Sequence, residues 1–586
     1  MKYGNFPVRT ADIRLGQDVV FDAWLYSMMI DNNLAYSMNP QIVAGPGQMA
    51  FMVHLEPDGV YLPCSDATFV MLVDPRQRDA LQRQYNRAWR IVVRLVRSIE
   101  TDRLERVRLL QFCRYRYVQY IRQQTLIPSR LVKRMTDLAL AKGHTLDDPW
   151  LHHRRASTKL QQEMLAYPEI RDGLEAMPRR PLPPSMSRAR LLLDNVQLAR
   201  FMCLSIMARD WLEQRPGAAE VTRTMEFMEN RALPVIERWQ QSYGCTATVL
   251  FLSDADGGTI FDLALAHHLI RMGHKVIFAV KSGFHFFAPT IDDMENDPVI
   301  GQWLRRGIVL RGQSVGKNEL LKSLREHHLV VIGDGTRERL NLYRVSVMFS
   351  RAWKEADIIL CKGWRSVDVL LGTTHAFTRD IVCYWRDATD FQIQMRTRAA
   401  GVRKISEADI VAQADAIIDT MREQRAKGMS VMFYSCIIGS IPGETPTAIE
   451  VAKTFVEYLR GREEKLFVIN PAEHFVEGMD GDDLMYMWER VQRSGFIDVW
   501  RFQTMEDVER SFSLMDRKMP PVWFGKDATY STGCTKEMRI AQEVQAGNRE
   551  MQIIGPDPRK FTRRGEYGVG GYFDATITRV KRAPAK

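Results

Sequence analysis

Four short polar segments in the middle of the chain carry residue types that suit phosphate and metal chemistry. Each follows an apolar run and combines a charged side chain with a glycine; they are residues 253–257, 281–283, 333–337 and 362–365. A carboxylate can hold a hard divalent cation that keeps several of its waters. Lysine, arginine and helix N-termini can hold a phosphate group. A metal and a phosphate clamp together are the minimum equipment for phosphoryl hydrolysis.

These segments and the loop near residue 290 provide the candidate site residues. The catalytic candidates are Asp254 and Lys362, and the metal-ligand candidates are Asp254, Asp256 and Asp293. The substrate-binding candidates are Lys281, Ser282, Asp334, Arg337, Gly363 and Arg365. An aspartate after a strand is often only the N-cap of the next helix, and a glycine there often only makes the turn. Four strand ends of the same kind favour one shared site over four independent caps.

The elements that must position these residues follow from a change of period near residue 246. Short β-rich runs are predicted at 246–252, 275–280, 307–310, 328–332 and 357–361, and helices at 260–272, 298–304, 318–326 and 340–354. This alternation predicts a doubly wound, Rossmann-like parallel sheet in an α/β/α arrangement. The strands are nearly all apolar, as expected for a sheet that is covered on both faces. Ligands bind outside the carboxyl ends of such strands, where all four polar segments lie.

The regions on either side of this core have different patterns. Residues 1–240 are expected to form a mainly helical region, 241–400 the Rossmann-like core, and 401–586 a second, C-terminal α/β unit. In the helix predicted at 81–99, one face is apolar and the other carries Arg83, Arg87, Arg90, Arg94 and Arg97. A nucleic-acid stripe is one interpretation of that face. A solvated helix face is favoured, because no aromatic residues interleave the arginines.

The C-terminal unit has weaker candidates of its own. They are a glycine-containing loop at 439–444, Glu473 with His474, an acidic turn at 480–483, and the Ser531 and Cys534 pair. The loop lacks the Lys-Ser/Thr ending of a P-loop. The acidic turn is interpreted as a helix cap rather than a metal site.

Composition limits the class of protein. The 586 residues include 81 Lys and Arg against 71 Asp and Glu, a formal net charge of +10 that suits an anionic ligand. The eight cysteines form no C-x-x-C pair, so a zinc cage or disulfide framework is poorly supported and a reducing cytoplasm is expected. No run reaches the roughly 18 apolar residues that cross a bilayer. We therefore expect a soluble, cytoplasmic protein without a membrane partner; its oligomeric state is not predicted.

Three stretches of the core together resemble a known family. SDADGGTIFDLALAHHLIRMGHKVIFAVKSG, GDGTRERLNLYRVS and EADIILCKGWRS are similar to the metal-dependent damage-control phosphatases, also called acidic-residue-methyltransferase-like proteins. The resemblance covers roughly residues 246–372. It implies a helical N-terminal part before a Rossmann-like core. It also implies hydrolysis of phosphometabolites with a divalent metal such as Mn, Co, Ni or Mg.

The resemblance is incomplete at the metal positions. Asp254 matches the first ligand of the family, whereas Ala255 and Ala288 stand where the second and third ligands are expected. Lys362 and Gly363 match the family's Lys-Gly turn, and Ser366 replaces its asparagine. Alanine has no lone pair for a metal, so the standard site cannot form. Replacement ligands are available in principle, namely Asp256, His285, Asp292 and Asp293.

The sequence thus predicts a metal-dependent phosphatase-like protein that acts on a small phosphorylated metabolite. The alternative is a non-catalytic ligand-binding or scaffold protein of the same fold. Methyl transfer receives little support, because no G-x-G-x-x-G motif follows the first strand. Nucleic acid is not the expected partner.

Overall fold

The computed structural model describes the chain in eleven stretches that form two compact units, Met1–Val402 and Arg403–Lys586. The described residues are 7–34, 45–56, 58–143, 148–175, 187–244, 246–254, 257–312, 315–387, 390–441, 443–474 and 478–561. Asp256, a metal-ligand candidate, lies outside them, as does Ala255.

The first unit contains nine strands and sixteen α-helices within the described residues. The strands are β1 (Val53–His54), β2 (Thr248–Leu252), β3 (Lys275–Val280), β4 (Gly307–Leu310), β5 (Leu329–Gly333), β6 (Ile358–Lys362), β7 (Ala376–Phe377), β8 (Asp380–Arg386) and β9 (Phe391–Arg396). The helices before the large sheet are α1 (Val19–Asp31), α2 (Pro46–Met49), α3 (Asp66–Val73), α4 (Arg78–Ile99), α5 (Arg103–Ile121), α6 (Pro128–Lys142), α7 (Leu151–Leu165), α8 (Pro168–Leu174), α9 (Ser187–Glu213) and α10 (Ala218–Tyr243). The helices within the α/β region are α11 (Thr259–Arg271), α12 (Ile291–Asn296), α13 (Pro298–Trp303), α14 (Lys317–Glu326), α15 (Val347–Glu355) and α16 (Trp364–Leu370).

Seven of these strands form one sheet in the order β4-β5-β3-β2-β6-β8-β9. All neighbours are parallel except β8 and β9, which pair antiparallel. The chain leaves β2 toward β3 on one side and later returns to place β6 on the other side. The switch point of the sheet therefore lies between β2 and β6, which is where an open α/β sheet binds ligands. The predicted doubly wound α/β fold is confirmed, and β8 and β9 extend it beyond the last predicted strand.

The sheet is covered on both faces, as the apolar strands predicted. Val249 and Phe251 of β2 belong to a buried cluster with α9, α10 and α11. Leu250 and Leu252 point the other way, into a cluster with α14, α15 and α16. Alternate residues of one strand thus serve opposite layers, because successive side chains of a strand point to opposite faces.

The helix predicted at 340–354 begins later, at Val347. Ser346 is its N-cap, and the Ser346 hydroxyl accepts a hydrogen bond from the backbone N–H of Phe349 at 3.1 Å. The Ser346 N–H in turn donates to the carbonyl of Asp334 at 2.9 Å. This bond folds residues 335–346 into a loop over the end of β5, so the apolar residues before Ser346 cannot continue the helix.

A third buried cluster lies within the helical N-terminal region. It joins α1, α3, α4, α5 and α6, and it includes Phe284 from the loop after β3. One stretch of the described helices, Ala189–Glu213 in α9, has the length and composition to cross a membrane. It is 61% buried and packs against α10 and α11, which is the environment of a core helix.

The second unit has a four-stranded parallel sheet, in the order β11-β10-β12-β13. Its strands are β10 (Ser430–Ser435), β11 (Leu466–Ile469), β12 (Val499–Phe502) and β13 (Gln552–Ile554), and its helices are α17 (Glu407–Ala426), α18 (Thr445–Arg462), α19 (Gly481–Gln492), α20 (Met505–Leu514), α21 (Thr532–Gly547) and α22 (Pro558–Phe561). The predicted second α/β unit is confirmed; β12 was not predicted. The acidic turn at 480–483 is a helix cap, since the Asp480 carboxylate accepts hydrogen bonds from two backbone N–H groups of α19.

A buried polar group sits in the core of this second unit. Glu537 on α21 accepts a hydrogen bond from the Gln492 amide at 3.0 Å. Burial raises the pKa of Glu537 to about 7, and hydrogen bonds from Ser435 and Gln492 offset only part of that rise. The carboxyl group is therefore partly protonated at neutral pH, and the folded state binds its proton more tightly than the unfolded state does.

We predict that the Glu537→Gln variant stabilises the second unit at pH 8 but not at pH 4. A carboxyl whose folded pKa lies above its unfolded value contributes full stability below the unfolded pKa of 4.5. That contribution is lost as the pH rises through about 7, by on the order of 3 kcal/mol. Hydrogen exchange of β10 and α21 in the full chain, measured from pH 4 to pH 8, checks this. Equal protection from exchange in the wild type and in Glu537→Gln at pH 8 would contradict the prediction.

Candidate functional site

The switch point between β2 and β6 brings together Asp254, Gly363 and Arg365, three residues that the sequence singled out. The Asp254 carboxylate follows β2, and both of its oxygens lie 3.5 Å from Nη1 of Arg365. Gly363 has a φ of +83°, and a Cβ atom built on it would lie 1.8 Å from Oδ2 of Asp254. Only glycine therefore allows the turn after β6 to approach this carboxylate.

Lys362, the second catalytic candidate, points into the protein. Its Nζ donates to Oδ1 of Asp262 at 2.8 Å and to the carbonyl of Gly257 at 2.7 Å. Asp262 on α11 is fully buried, and its Oδ1 also accepts from the Ser205 hydroxyl. Burial raises the pKa of Asp262, and Lys362 opposes that rise. The charge of Lys362 is thus neutralised inside the first unit.

The polar segments after β3 and β5 pair with each other. Lys281 Nζ lies 2.6 Å from Oδ2 of Asp334, which also accepts from the Thr336 hydroxyl at 2.9 Å. The Ser282 hydroxyl accepts from the N–H of Gly335 at 2.8 Å, so it links the two loops. These substrate-binding candidates hold the strand ends together and point their polar atoms at one another.

Residues that follow β2, β3, β5 and β6 line one small cavity, which Arg337 and Lys362 do not reach. Its volume is about 40 Å³, and its lining includes Asp254, Lys281, Asp334, Arg339 and Arg365. Two carboxylates therefore face three cations in a space that holds little more than a water molecule. A small metabolite does not fit within it.

Asp293, a metal-ligand candidate, is held in a different set of contacts. Arg154 on α7 donates to both of its oxygens, from Nε at 2.8 Å and from Nη2 at 3.2 Å. Asp293 also forms a capping box with Thr290 at the start of α12. Ala288, at the position where the resemblance implies a ligand, is fully buried.

The residues that the structure describes do not fit the implied divalent metal. Among them, no three His, Cys, Asp or Glu side chains are grouped so that they could hold a metal ion. The remaining alternative ligand near Asp254 is His285, whose pKa is well below its ordinary value because it is partly desolvated and faces Lys281 and Arg365. The cations around Asp254 favour an anion over a second cation at this position.

A much larger cleft, of about 830 Å³, opens in front of the switch point. We call it the arginine cleft, because its lining includes eight Lys and Arg against three Asp and Glu. The cations are Arg87, Arg90, Arg94, Lys133, Arg209, Arg337, Arg339 and Arg365, and the acids are Glu213, Glu338 and Asp368. Helix α4 forms one wall, and the loops after β3, β5 and β6 form the other.

The three acids of the arginine cleft are already paired. Glu338 binds Arg130, Asp368 binds Arg339, and Glu213 binds Arg209. Within the described part of the chain, four exposed arginines of the cleft have no hydrogen bond or ion pair: Arg87, Arg90, Arg94 and Arg337. Their positive charges are therefore available to a ligand.

The interpretation of the arginine face of α4 as merely solvated was incomplete. Arg87, Arg90 and Arg94 are exposed, but they face the cleft at the carboxyl edge of the sheet. A signal in the sequence could have indicated this. Residues 78–134 contain 15 Lys and Arg and only 4 Asp and Glu, so this segment carries the whole positive excess of the chain. No aromatic residues interleave the arginines on α4, but aromatic residues from other elements line the same cleft. They are Trp150, Phe287 and Trp364.

Arg337 is the candidate residue that lies in the cleft with its charge free. Its side chain runs across Gly283, where a Cβ atom would lie 2.4 Å from the Arg337 Nε. The glycine of the loop after β3 thus leaves room for an arginine of the loop after β5. Arg365 lines both the small cavity and the cleft, so it lies between Asp254 and the cleft.

We predict that Gly363→Ala lowers the stability of the first unit by at least about 2 kcal/mol, because the methyl group collides with Asp254 and the φ of +83° disfavours alanine. Thermal unfolding measures the loss. Gly301→Ala is the control, since Gly301 lies in α13 with open space around its Cβ. It should be neutral or slightly stabilising. A destabilisation no larger than that of the control would contradict the close approach.

We predict that Lys362→Met destabilises the first unit by about 3–5 kcal/mol at pH 7, because Asp262 is left buried without a cation. In this variant the folded pKa of Asp262 lies above its unfolded value, so the loss should shrink as the pH falls toward 4. Adding Asp262→Asn should recover part of the stability. Denaturant unfolding measures these changes. Removal of the exposed Arg9–Asp12 pair by Arg9→Ala is the control and should change little. If Lys362→Met and Arg9→Ala lower the stability equally, the role of the buried pair is contradicted.

No protein-family model matches the sequence, and no curated protein matches it. Among solved structures, the chain is similar to a crystal structure of a DUF89 family protein from Pyrococcus horikoshii. The sequence identity is 17% and the TM-score 0.35, over 53% of this chain and 90% of that chain.

Proposed function

We propose that the first unit binds a small phosphorylated metabolite in the arginine cleft and does so as a binding protein rather than as a phosphatase. The observation that carries the proposal is the set of four exposed arginines without partners, Arg87, Arg90, Arg94 and Arg337, around one cleft. Arginine offers a planar fork of donors that matches phosphate oxygens in pairs.

The location and size of the cleft support the same function. It lies in front of the switch point between β2 and β6, where open α/β sheets bind their ligands. Its volume of about 830 Å³ is within the usual range for small-molecule sites, roughly 300–1,000 Å³. The charge excess of residues 78–134 adds a long-range field that attracts anions.

Binding without turnover is favoured by the contacts of the catalytic candidates. Lys362 is neutralised by Asp262, and Asp254 faces Arg365. Neither the ammonium nor the carboxylate is directed at the cleft in a free state. Metal-dependent hydrolysis, which the resemblance of the core to damage-control phosphatases implies, is the second candidate function. It would depend on Asp254 as the matching ligand.

We predict that Arg90→Ala/Arg94→Ala weakens binding of inorganic pyrophosphate and ribose 5-phosphate at least tenfold, since it removes two phosphate contacts. The matched control is Arg83→Ala/Arg97→Ala, on the same helix and outside the cleft lining, which changes the net charge equally. It should weaken binding less than threefold. Isothermal titration calorimetry at constant ionic strength measures both. Equal losses of affinity in the two double variants would show that only the overall positive field attracts the ligand. Absence of binding by the wild type would refute the proposed function.

Phosphate release distinguishes the two candidate functions. The full chain is incubated with a panel of phosphorylated metabolites and Mn²⁺, Co²⁺, Ni²⁺ or Mg²⁺, beside an Asp254→Asn variant. We expect binding with no release of phosphate by either protein. Release by the wild type that Asp254→Asn abolishes would instead establish metal-dependent hydrolysis.

A further inference from the structure

We infer that the ligand of the arginine cleft is a nucleotide, that is, a phosphorylated compound that also carries a flat aromatic base. The inference rests on the proposed function, because it assumes that the phosphate binds in this cleft. The additional observation is the juxtaposition of unpaired arginines with exposed aromatic rings in the same cleft.

The first exposed ring is Trp364, at the start of α16. It is 51% exposed, and it is the one exposed tryptophan of the twelve in the chain, all of which lie in the described residues. The guanidinium carbons of Arg339 and Arg365 lie 5.4 and 5.2 Å from its ring centroid. These cation–π contacts hold the indole beside the basic wall. A large ring fixed in this way and left half in solvent offers a stacking surface.

The second exposed ring is Phe287, in the loop after β3. It is 40% exposed, and its ring centroid lies 4.9 Å from that of Trp150. The backbone of Phe286 has a φ of +56°, which is uncommon for a bulky residue. In this loop Phe284 and Phe286 pack with the helical cluster, while Phe287 remains at the cleft. The neighbouring rings anchor this loop in the helical cluster, and the Phe287 ring is thereby held at the cleft, partly exposed.

The free charges and the exposed rings line the cleft from several elements. Arg87, Arg90 and Arg94 come from α4, whereas Phe287 comes from the loop after β3 and Trp364 from the start of α16. A sugar phosphate or a free phosphate would use only the arginines and leave both rings in water. A ligand with a base at one end and phosphates at the other would use both sets of groups. Stacking of a base on an aromatic side chain contributes roughly 1–3 kcal/mol in nucleic-acid sites, which is tenfold or more in affinity.

The test compares ligands that differ by one part of a nucleotide. ADP, ribose 5-phosphate, inorganic pyrophosphate and adenosine are titrated into the full chain at constant ionic strength. We expect ADP to bind at least tenfold more tightly than ribose 5-phosphate, pyrophosphate or adenosine. We also expect ADP, but not pyrophosphate, to quench tryptophan fluorescence, and Trp364→Phe to reduce that quenching.

Two aromatic variants and a matched control locate the base. Phe287→Ala and Trp364→Leu should each weaken ADP binding at least fivefold and leave pyrophosphate binding unchanged. Tyr115→Ala removes an aromatic ring of the same unit that is 63% exposed and lies outside the cleft lining, so it should change neither. Unchanged pyrophosphate affinity and thermal unfolding show that each variant remains folded.

The possible outcomes separate the inference from the proposed function. The nucleotide inference would be overturned if ADP and ribose 5-phosphate bind with equal affinity. It would also be overturned if neither Phe287→Ala nor Trp364→Leu weakens ADP binding. In both cases the proposed function would still stand. No binding of any phosphate compound would overturn the proposed function itself. Tighter binding of a ten-nucleotide single strand than of ADP, weakened by Arg83→Ala/Arg97→Ala, would overturn the inference in favour of a nucleic-acid groove along α4.

Discussion

The buried ion pair between Arg130 and Glu338 is the contact on which the arginine cleft depends. Arg130 lies on α6 in the helical cluster, Glu338 lies in the loop after β5, and both side chains are only 5% exposed. Separation of the two would leave each charge buried and unpaired, at a cost of about 3–5 kcal/mol. The pair therefore selects one orientation of the helical cluster on the carboxyl edge of the sheet. That orientation turns Arg87, Arg90 and Arg94 of α4 toward the switch point.

Burial divides the charges of this region into an inner and an outer layer. Inside, Lys281 with Asp334 and Lys362 with Asp262 must neutralise one another, because an isolated buried charge is too costly to keep. Outside, water solvates the arginines, so they need no carboxylate partner. The strand ends thus have a structural role, since they close the small cavity and fix the loops. The proposed anion site lies one layer further out, on residues that the loops and α4 display.

The sequence predicted the parts of this arrangement that depend on local pattern. Apolar runs and helical periods were sufficient for β2 to β6 of the large sheet and for the existence of the second α/β unit, but not for β8, β9 or β12. Partners across elements could not be predicted in this way. The sequence did not indicate that Asp262 is the partner of Lys362. Asp262 lies within an apolar helical pattern, 100 residues away from Lys362. The position of α4 against the edge of the sheet depends on the ion pair between Arg130 and Glu338, which are 208 residues apart.

The loop after β3 joins the sheet to the helical region, and it contains the position where the resemblance implies a third metal ligand. Phe284 packs in the helical cluster, and Arg154 of α7 binds both Asp293 and the carbonyl of Phe286. Between these contacts, Ala288 is fully buried. A carboxylate at that position would need a metal or a cation beside it, whereas alanine can be covered completely. Alanine at position 288 thus lets the loop be enclosed. The same loop then presents Phe287 to the cleft, so one segment both anchors the helices and shapes the ligand space.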